Sequence, residues 1–254
     1  MKKLIIYDES CPMCKIYTKG MVAADTSGCL NRMGNSQLTN QTLLSRLDPQ
    51  RARHEIPLID LDGGETLYGV DTWIYAFGHR NHSLEKLLSL RWFKVMLQRL
   101  YAFISYNRRI IITAAPGRWQ LLDLQPEFHL TYRIAFIVSI FGIVSWLFNS
   151  LNGNLWPLLT LSISQLVMTW IYLKVTPTGD FIETLLDYTG HLGMSLLVGG
   201  VCIAIGQATG WSAVILGGYA LMIGQHFIRT YRLGMNPWLS VCFTVLVFLL
   251  LLPR

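Results

Sequence analysis

Hydrophobic and polar residues alternate differently in the two halves of this chain. The second half contains five long apolar stretches, at about residues 132–151, 155–175, 184–207, 211–229 and 237–253. Short segments rich in Asn, Gly, Pro and Thr separate them, and such segments are typical of turns. Since about 20 apolar residues cross a bilayer as a helix, we predict an all-α membrane domain of about five transmembrane helices over residues 132–254.

The charged residues follow the opposite pattern and lie mostly before residue 131. Beyond it are only Arg133, Lys174, Asp180, Glu183, Asp187, Arg229, Arg232 and Arg254. With five spans, Arg133, Lys174 and Arg229 all fall on the side of the N-terminal part. Because basic residues favour the cytoplasmic side, we predict an inner or plasma membrane protein with a cytoplasmic N-terminal domain and an external C-terminus.

The N-terminal part has the pattern of a small α/β domain. An apolar run over residues 4–7 predicts a strand, and a helix is expected to begin at Pro12, whose missing N–H costs nothing there. Residues 56–61 and 65–68 flank Asp62-Gly63-Gly64, which predicts a β-hairpin, and Asp71 is expected to cap the next helix. This order of elements predicts a thioredoxin/glutaredoxin-like fold.

Cys11-Pro12-Met13-Cys14 lies between the first strand and the first helix. The helix N-terminus favours a thiolate at Cys11, and Cys14 one turn later is placed to resolve a mixed disulfide. Lys15 would lower the pKa of Cys11, whereas Asp8 and Glu9 would raise it. The alternative is half of a zinc site, for which Cys29 and His54 are the available further ligands.

Three groups of residues resemble the DCC (DUF393) family, which is described as thiol-disulfide oxidoreductases. They are Tyr7-Asp8-x-x-Cys11-Pro12-x-Cys14, Asp62-Gly63 and Tyr101-x5-Asn107-Arg108, and the resemblance covers about residues 4–109. It implies that Tyr7, Asp8, Pro12 and Arg108 support the dithiol. In the wider thioredoxin fold a cis-proline faces the dithiol, and Pro57 matches it; the alternative is a proline of an edge strand.

The domain is expected to span residues 1–108 and to end in a basic, aromatic, amphipathic helix over residues 84–108. This helix could lie on the anionic membrane surface, bind nucleic acid or pack on the dithiol domain. Its continuation into membrane spans disfavours nucleic acid as a partner. Residues 109–131 are interpreted as a connector.

The third apolar stretch places Glu183, Asp187 and His191 on one helix face, since they are four residues apart. Ionisable residues at membrane depth are often functional, but these could equally cap and pack the helix. Cys202 and Cys242 differ in predicted depth by about 15 Å at 1.5 Å per residue, so we do not expect them to form a second redox pair.

These observations favour a membrane-anchored thiol-disulfide oxidoreductase acting on a protein or small-molecule thiol or disulfide. Two alternatives are a transport or quinone-linked membrane protein regulated by the dithiol domain, and a non-enzymatic metal-binding module. No nucleotide-binding motif is present, so we expect no cofactor beyond the dithiol itself, with quinone as the remaining option.

Overall fold

The computed structural model describes residues 2–78, 82–113, 122–176 and 179–251. The chain divides into two compact units, Met1–His129 and Leu130–Arg254. The first unit therefore includes residues 122–129, which the sequence analysis assigns to a connector.

The first unit combines a small sheet with short helices. Its elements are β1 (Lys3–Tyr7), α1 (Pro12–Ala24), β2 (Leu30–Gly34), a 3-10 turn (Asn35–Gln37), α2 (Gln41–Leu44), α3 (Pro49–His54), β3 (Pro57–Asp60), β4 (Leu67–Tyr68), α4 (Val70–Gly78), α5 (His82–Ser89) and α6 (Arg91–Ile111).

The four strands form one mixed sheet in the order β2-β1-β3-β4. Strand β1 is parallel to β2 and antiparallel to β3, and β4 is antiparallel to β3. Alternate residues of β1 face opposite sides, as the pleat requires. Ile5 packs with Met21 of α1 on one face, whereas Leu4 and Ile6 pack with Leu122 on the other. Leu122, which follows α6 in the chain, therefore belongs to the hydrophobic core on the second face of the sheet.

Two sequence predictions are wrong about the helices that follow the hairpin. The predicted helix over residues 84–108 is two helices, because Leu90 between α5 and α6 has an extended ψ of 127°. Asp71 is not a helix cap but lies in the first turn of α4, where its carboxylate pairs with Lys94 at 2.6 Å. Gly69, with φ of +55°, precedes this helix instead.

Neither sequence interpretation of Pro57 holds in the structure. No peptide bond among the described residues is cis, so Pro57 is trans, and β3 lies between two strands rather than at an edge. Pro57 is the first residue of β3, and the pairing with β1 begins only at Leu58. Its missing N–H therefore removes no hydrogen bond between β1 and β3. The first residue of a strand is a position that tolerates proline.

The described residues of the second unit form helices joined by short loops. Its helices are α7 (Leu130–Asn152), α8 (Trp156–Val175), α9 (Phe181–Thr209), α10 (Ser212–Arg232) and α11 (Trp238–Leu250). Among the described helices, α7, α8 and α9 are long and apolar enough to cross a membrane, while α11 is apolar but has 13 residues. These three helices indicate a membrane protein.

Glycines allow α9 and α10 to approach closely. A Cβ added at Gly199 would lie 2.8 Å from the carbonyl oxygen of Gly218 and would overlap Met222. A Cβ at Gly217 or Gly224 of α10, by contrast, meets nothing within 4 Å. On the α10 side the close contact is therefore made by Gly218.

We expect Gly199→Ala to lower the stability of the second unit by about 1–3 kcal/mol, because the added methyl group overpacks the α9–α10 contact. Gly217→Ala is the matched control and should leave stability unchanged or slightly higher, since Ala is the better helix former. Thermal unfolding of the purified full-length variants in detergent measures both. Equal losses for the two variants would contradict the packing.

Candidate functional site

The dithiol lies at the start of α1, as the sequence predicts. Cys11 is the N-cap residue with extended backbone angles, and Pro12 occupies the first turn. The Cys11 Sγ accepts a hydrogen bond from the backbone N–H of Cys14 at 3.4 Å. Both cysteines are free thiols and are buried, with 0% and 2% of their surface exposed.

A buried arginine stands beside the dithiol. Arg108 of α6 is 5% exposed and lies 3.6 Å from the Asp8 carboxylate. Its guanidinium also donates to the carbonyl oxygens of Leu124 and Arg53, which holds it in place. Asp8 in turn accepts hydrogen bonds from the backbone N–H and hydroxyl of Ser10, at 2.8 and 2.6 Å.

The two thiols are differentiated electrostatically. A hydrogen bond from the Cys14 thiol lowers the pKa of Cys11 to about 6; Arg108 and the Cys14 N–H act in the same direction, against burial and Asp8. The hydrogen bond to Cys11 raises the pKa of Cys14, and burial raises it further. These opposite shifts favour a thiolate at Cys11 and a thiol at Cys14, an arrangement that suits a nucleophile and a resolving cysteine.

The charged groups that act most strongly on the pKa of Cys11 are Arg108, which lowers it, and Asp8, which raises it. Lys15 is exposed, and the charge that acts on Cys11 comes from Arg108, far away in the sequence. The Glu9 carboxylate accepts a hydrogen bond from Gln37 at 3.3 Å. Of the acids considered, Asp8 is the one that raises the pKa of Cys11.

Several predicted site residues do meet around one small cavity. Its lining includes Tyr7, Asp8, Cys14, Pro57 and Arg108. These residues come from β1, the β1–α1 loop, α1, β3 and α6, so the sheet and α6 together build the site. The structure thus brings together Tyr7, Asp8 and Arg108, three of the four supporting residues that the family resemblance implies.

Helix α6 packs on the dithiol domain, which was one of the three interpretations of this segment. The backbone N–H of Ile56 donates to the Tyr101 hydroxyl at 2.9 Å, and the Ser105 hydroxyl donates to the His54 carbonyl at 2.5 Å. These two contacts fix the half of α6 that carries Arg108.

Two residues next to the site were missed by sequence reasoning. The Tyr17 hydroxyl donates to the Cys14 Sγ at 3.6 Å, and its position one turn after Cys14 is a signal that could have revealed it. Arg109 donates to the Ser10 hydroxyl at 2.9 Å, from a segment that the sequence analysis treats as a connector.

Among the described residues, the structure does not group side chains that could complete the alternative zinc site. Cys29 contacts the carbonyl oxygen of Ser27, and the His54 imidazole lies 4.0 Å from Glu127. Within residues 2–78, 82–113, 122–176 and 179–251, no three His, Cys, Asp or Glu side chains are grouped so as to hold a metal ion.

The predicted polar face of α9 is engaged by two arginines. Asp187 lies 3.3 Å from Arg133 of α7, and the Nδ1 of His191 lies 3.2 Å from Arg229 of α10. Glu183 lies in the first turn, where Asp180 rather than Glu183 or Asp187 caps the helix.

A second polar network in this unit was not predicted. The Tyr188 hydroxyl donates to Gln165 at 2.8 Å and lies 3.0 Å from His226, whose other ring nitrogen lies 2.9 Å from Ser240. These four buried residues come from α8, α9, α10 and α11.

Comparison with models of protein families, with curated proteins and with solved structures gives no match for this chain.

Proposed function

We propose that this chain is a membrane-anchored thiol-disulfide oxidoreductase whose redox group is the Cys11–Cys14 dithiol. One observation carries the proposal. The Cys11 Sγ lies at a helix N-terminus, accepts the Cys14 N–H and lies close enough to the buried Arg108 for its charge to lower the pKa of this thiol. Such an environment produces a reactive thiolate beside a thiol that can resolve its products.

The reaction follows from this asymmetry. The Cys11 thiolate attacks one sulfur of a substrate disulfide, an S–S bond forms, and the other substrate sulfur leaves as a thiolate. The Cys14 thiol then loses its proton and attacks the Cys11 Sγ. The mixed disulfide breaks, the second substrate thiol is released, and the protein is left with a Cys11–Cys14 disulfide.

Three finer assignments belong to this proposal. The mixed sheet with parallel β1 and β2, together with a dithiol at the start of α1, supports a thioredoxin/glutaredoxin-like fold and membership of the DCC family. Five helices in the second unit support five spans. The basic residues at the span ends favour an inner or plasma membrane protein with a cytoplasmic dithiol and an external C-terminus.

The proposal is tested by the pH dependence of thiol alkylation. We expect the rate constant for Cys11 with iodoacetamide to rise through pH 6 and level off above it, because the thiolate population follows a pKa of about 6. Cys14 should react far more slowly over the same range, since its pKa is raised. Mass spectrometry of peptides from the full-length protein separates the two rates. Faster labelling of Cys14, or a Cys11 rate that rises only near pH 9, would contradict the assignment.

A second candidate is a transport function of the membrane unit, regulated by the dithiol. The buried polar network around Tyr188 and His226 favours it, because polar groups at membrane depth are costly and often functional. A membrane-linked phenotype that survives Cys11→Ser but is lost with His226→Phe would favour this candidate over the first.

A further inference from the structure

An apolar groove in the first unit leads towards the dithiol. One cavity of about 450 Å³ is lined by aliphatic and aromatic side chains of α4, α5 and α6, including Phe77, Leu97 and Leu100. A second cavity, of about 250 Å³, shares Trp73, Tyr101 and Ile104 with the first. The two cavities are therefore neighbours, and together we call them the α4–α6 groove.

The inner end of the groove lies next to the redox site. Met13, between the two cysteines, and Arg108 both line it. Tyr17 lines it too and donates its hydroxyl to the Cys14 Sγ at 3.6 Å. Neither cavity is lined by Cys11 or Cys14, so side chains of the lining, such as Met13 and Tyr17, have to turn aside before a ligand reaches the Cys11 thiolate.

The polar atoms of the groove lining favour a ligand that accepts hydrogen bonds. The Trp73 Nε1 and Arg108 Nε are buried and have no hydrogen-bond partner within the described part of the chain. A buried donor without a partner costs about 1–3 kcal/mol, and a ligand carbonyl would remove that cost. Glutathione suits the groove poorly, because its two carboxylates and ammonium would lie against apolar walls.

The outer end of the groove opens near a surface suited to a membrane. Exposed apolar side chains lie along α5 and α6, namely Leu87, Leu90, Trp92, Val95, Met96 and Leu100. Exposed basic residues, including Lys86, Arg91 and Arg99, lie on the same two helices. Leu100 belongs to both this surface and the groove. An apolar face with basic neighbours fits an anionic bilayer surface, from which a lipid-soluble ligand can enter.

We propose that the α4–α6 groove binds a lipid-soluble quinone, which accepts electrons from the Cys11–Cys14 dithiol. The inference rests on the proposed function and adds the class of electron acceptor. The isoprenoid tail lies along the apolar walls, and a ring carbonyl accepts hydrogen bonds from Trp73 and Arg108.

The electrons and protons balance in two steps. The Cys11 thiolate adds to a ring carbon of the quinone, a C–S bond forms, and a ring oxygen takes up a proton. Cys14 loses its proton and attacks the Cys11 Sγ, the S–S bond forms, and the C–S bond breaks with its electron pair left on the ring. A second proton completes the quinol. Arg108 stabilises the negative charge that develops on the ring oxygen.

Two tryptophan substitutions on α6 test the groove. Leu97→Trp fills it, whereas Val95→Trp adds the same side chain at an exposed position outside it. The reduced full-length protein is mixed with decylubiquinone in detergent, quinone reduction is followed by absorbance, and the Cys11–Cys14 disulfide is detected by mass spectrometry. Cystamine, a water-soluble disulfide, serves as the comparison oxidant.

We expect the parent and Val95→Trp to reduce the quinone. We expect Leu97→Trp to reduce the quinone about tenfold more slowly, which corresponds to about 1.4 kcal/mol of activation free energy. The same variant should react with cystamine at the parent rate. Trp73→Phe, which removes one donor and keeps an aromatic ring, should slow only the quinone reaction.

Three outcomes would overturn the inference. They are parent-like quinone reduction by Leu97→Trp, equal loss with both oxidants in this variant, and no quinone reduction by a parent protein that cystamine oxidises. The last outcome leaves the proposed function intact. A parent protein that neither oxidant converts to the disulfide would overturn both proposals.

Discussion

Cys11→Ser should abolish dithiol turnover completely, whereas Cys14→Ser should accumulate a mixed disulfide with the substrate. The proposed mechanism predicts this difference, because the lowered pKa of Cys11 favours attack by this thiol and Cys14 then resolves the mixed disulfide. Incubation of the full-length variants with cystamine, followed by intact-mass spectrometry, measures the result. The Cys14→Ser protein should gain the mass of one cysteamine on Cys11, and the Cys11→Ser protein should gain none at Cys14.

Cys29→Ser is the matched control, because Cys29 is a partly buried free thiol of the same unit outside the site. It should cycle as the parent does. Accumulation of an adduct on Cys14 in the Cys11→Ser protein, at the rate seen for Cys11, would reverse the assigned roles.

Arg108→Gln should have the second largest effect, since it removes the buried charge that favours the Cys11 thiolate. We expect the pKa of Cys11 to rise from about 6 towards the ordinary value, so the thiolate fraction and the alkylation rate at pH 6.5 both fall. The protein should also lose about 3–5 kcal/mol of stability, because Asp8 loses its buried partner. The pH profile of alkylation and thermal unfolding of the full-length protein measure the two effects.

Two further variants test the role of the Arg108 charge if Arg108→Gln does not fold. Arg108→Lys retains the charge but cannot form the paired contacts of a guanidinium, so it should lose stability and retain a low pKa at Cys11. Arg109→Gln removes the neighbouring arginine, which bonds to Ser10 and Gln125, and should leave the pKa of Cys11 unchanged. A profile that stays centred near pH 6 in a folded Arg108→Gln protein would contradict the role of this charge.

The sequence predicted correctly those features that depend on a few neighbouring residues. Pro12 after Cys11 fixed the start of α1, and Asp62-Gly63 marked the connection between β3 and β4. Strand β2 was not predicted, because Leu30-Asn31-Arg32-Met33-Gly34 has neither β-branched residues nor a clear alternation; it forms because β1 pairs with it.

Long-range contacts explain most of what the sequence could not provide. Arg108 follows Cys11 by almost a hundred residues, and only the family resemblance pointed to it. Leu122 and Leu124 lie in a segment without a helical or strand pattern, yet both are buried in the core of the sheet. In the membrane unit, Tyr188 and His226 belong to different helices, and helix rotation alone determines that they meet.

The central claim is tested most directly by equilibrating the full-length protein in glutathione buffers of increasing oxidising strength and mapping every cysteine by mass spectrometry. We expect one reversible two-electron transition that joins Cys11 to Cys14, while Cys29, Cys202 and Cys242 remain thiols. Cys11 and Cys14 that stay reduced at every buffer ratio, or that pair with other cysteines instead, would contradict the assignment of this dithiol as the redox group.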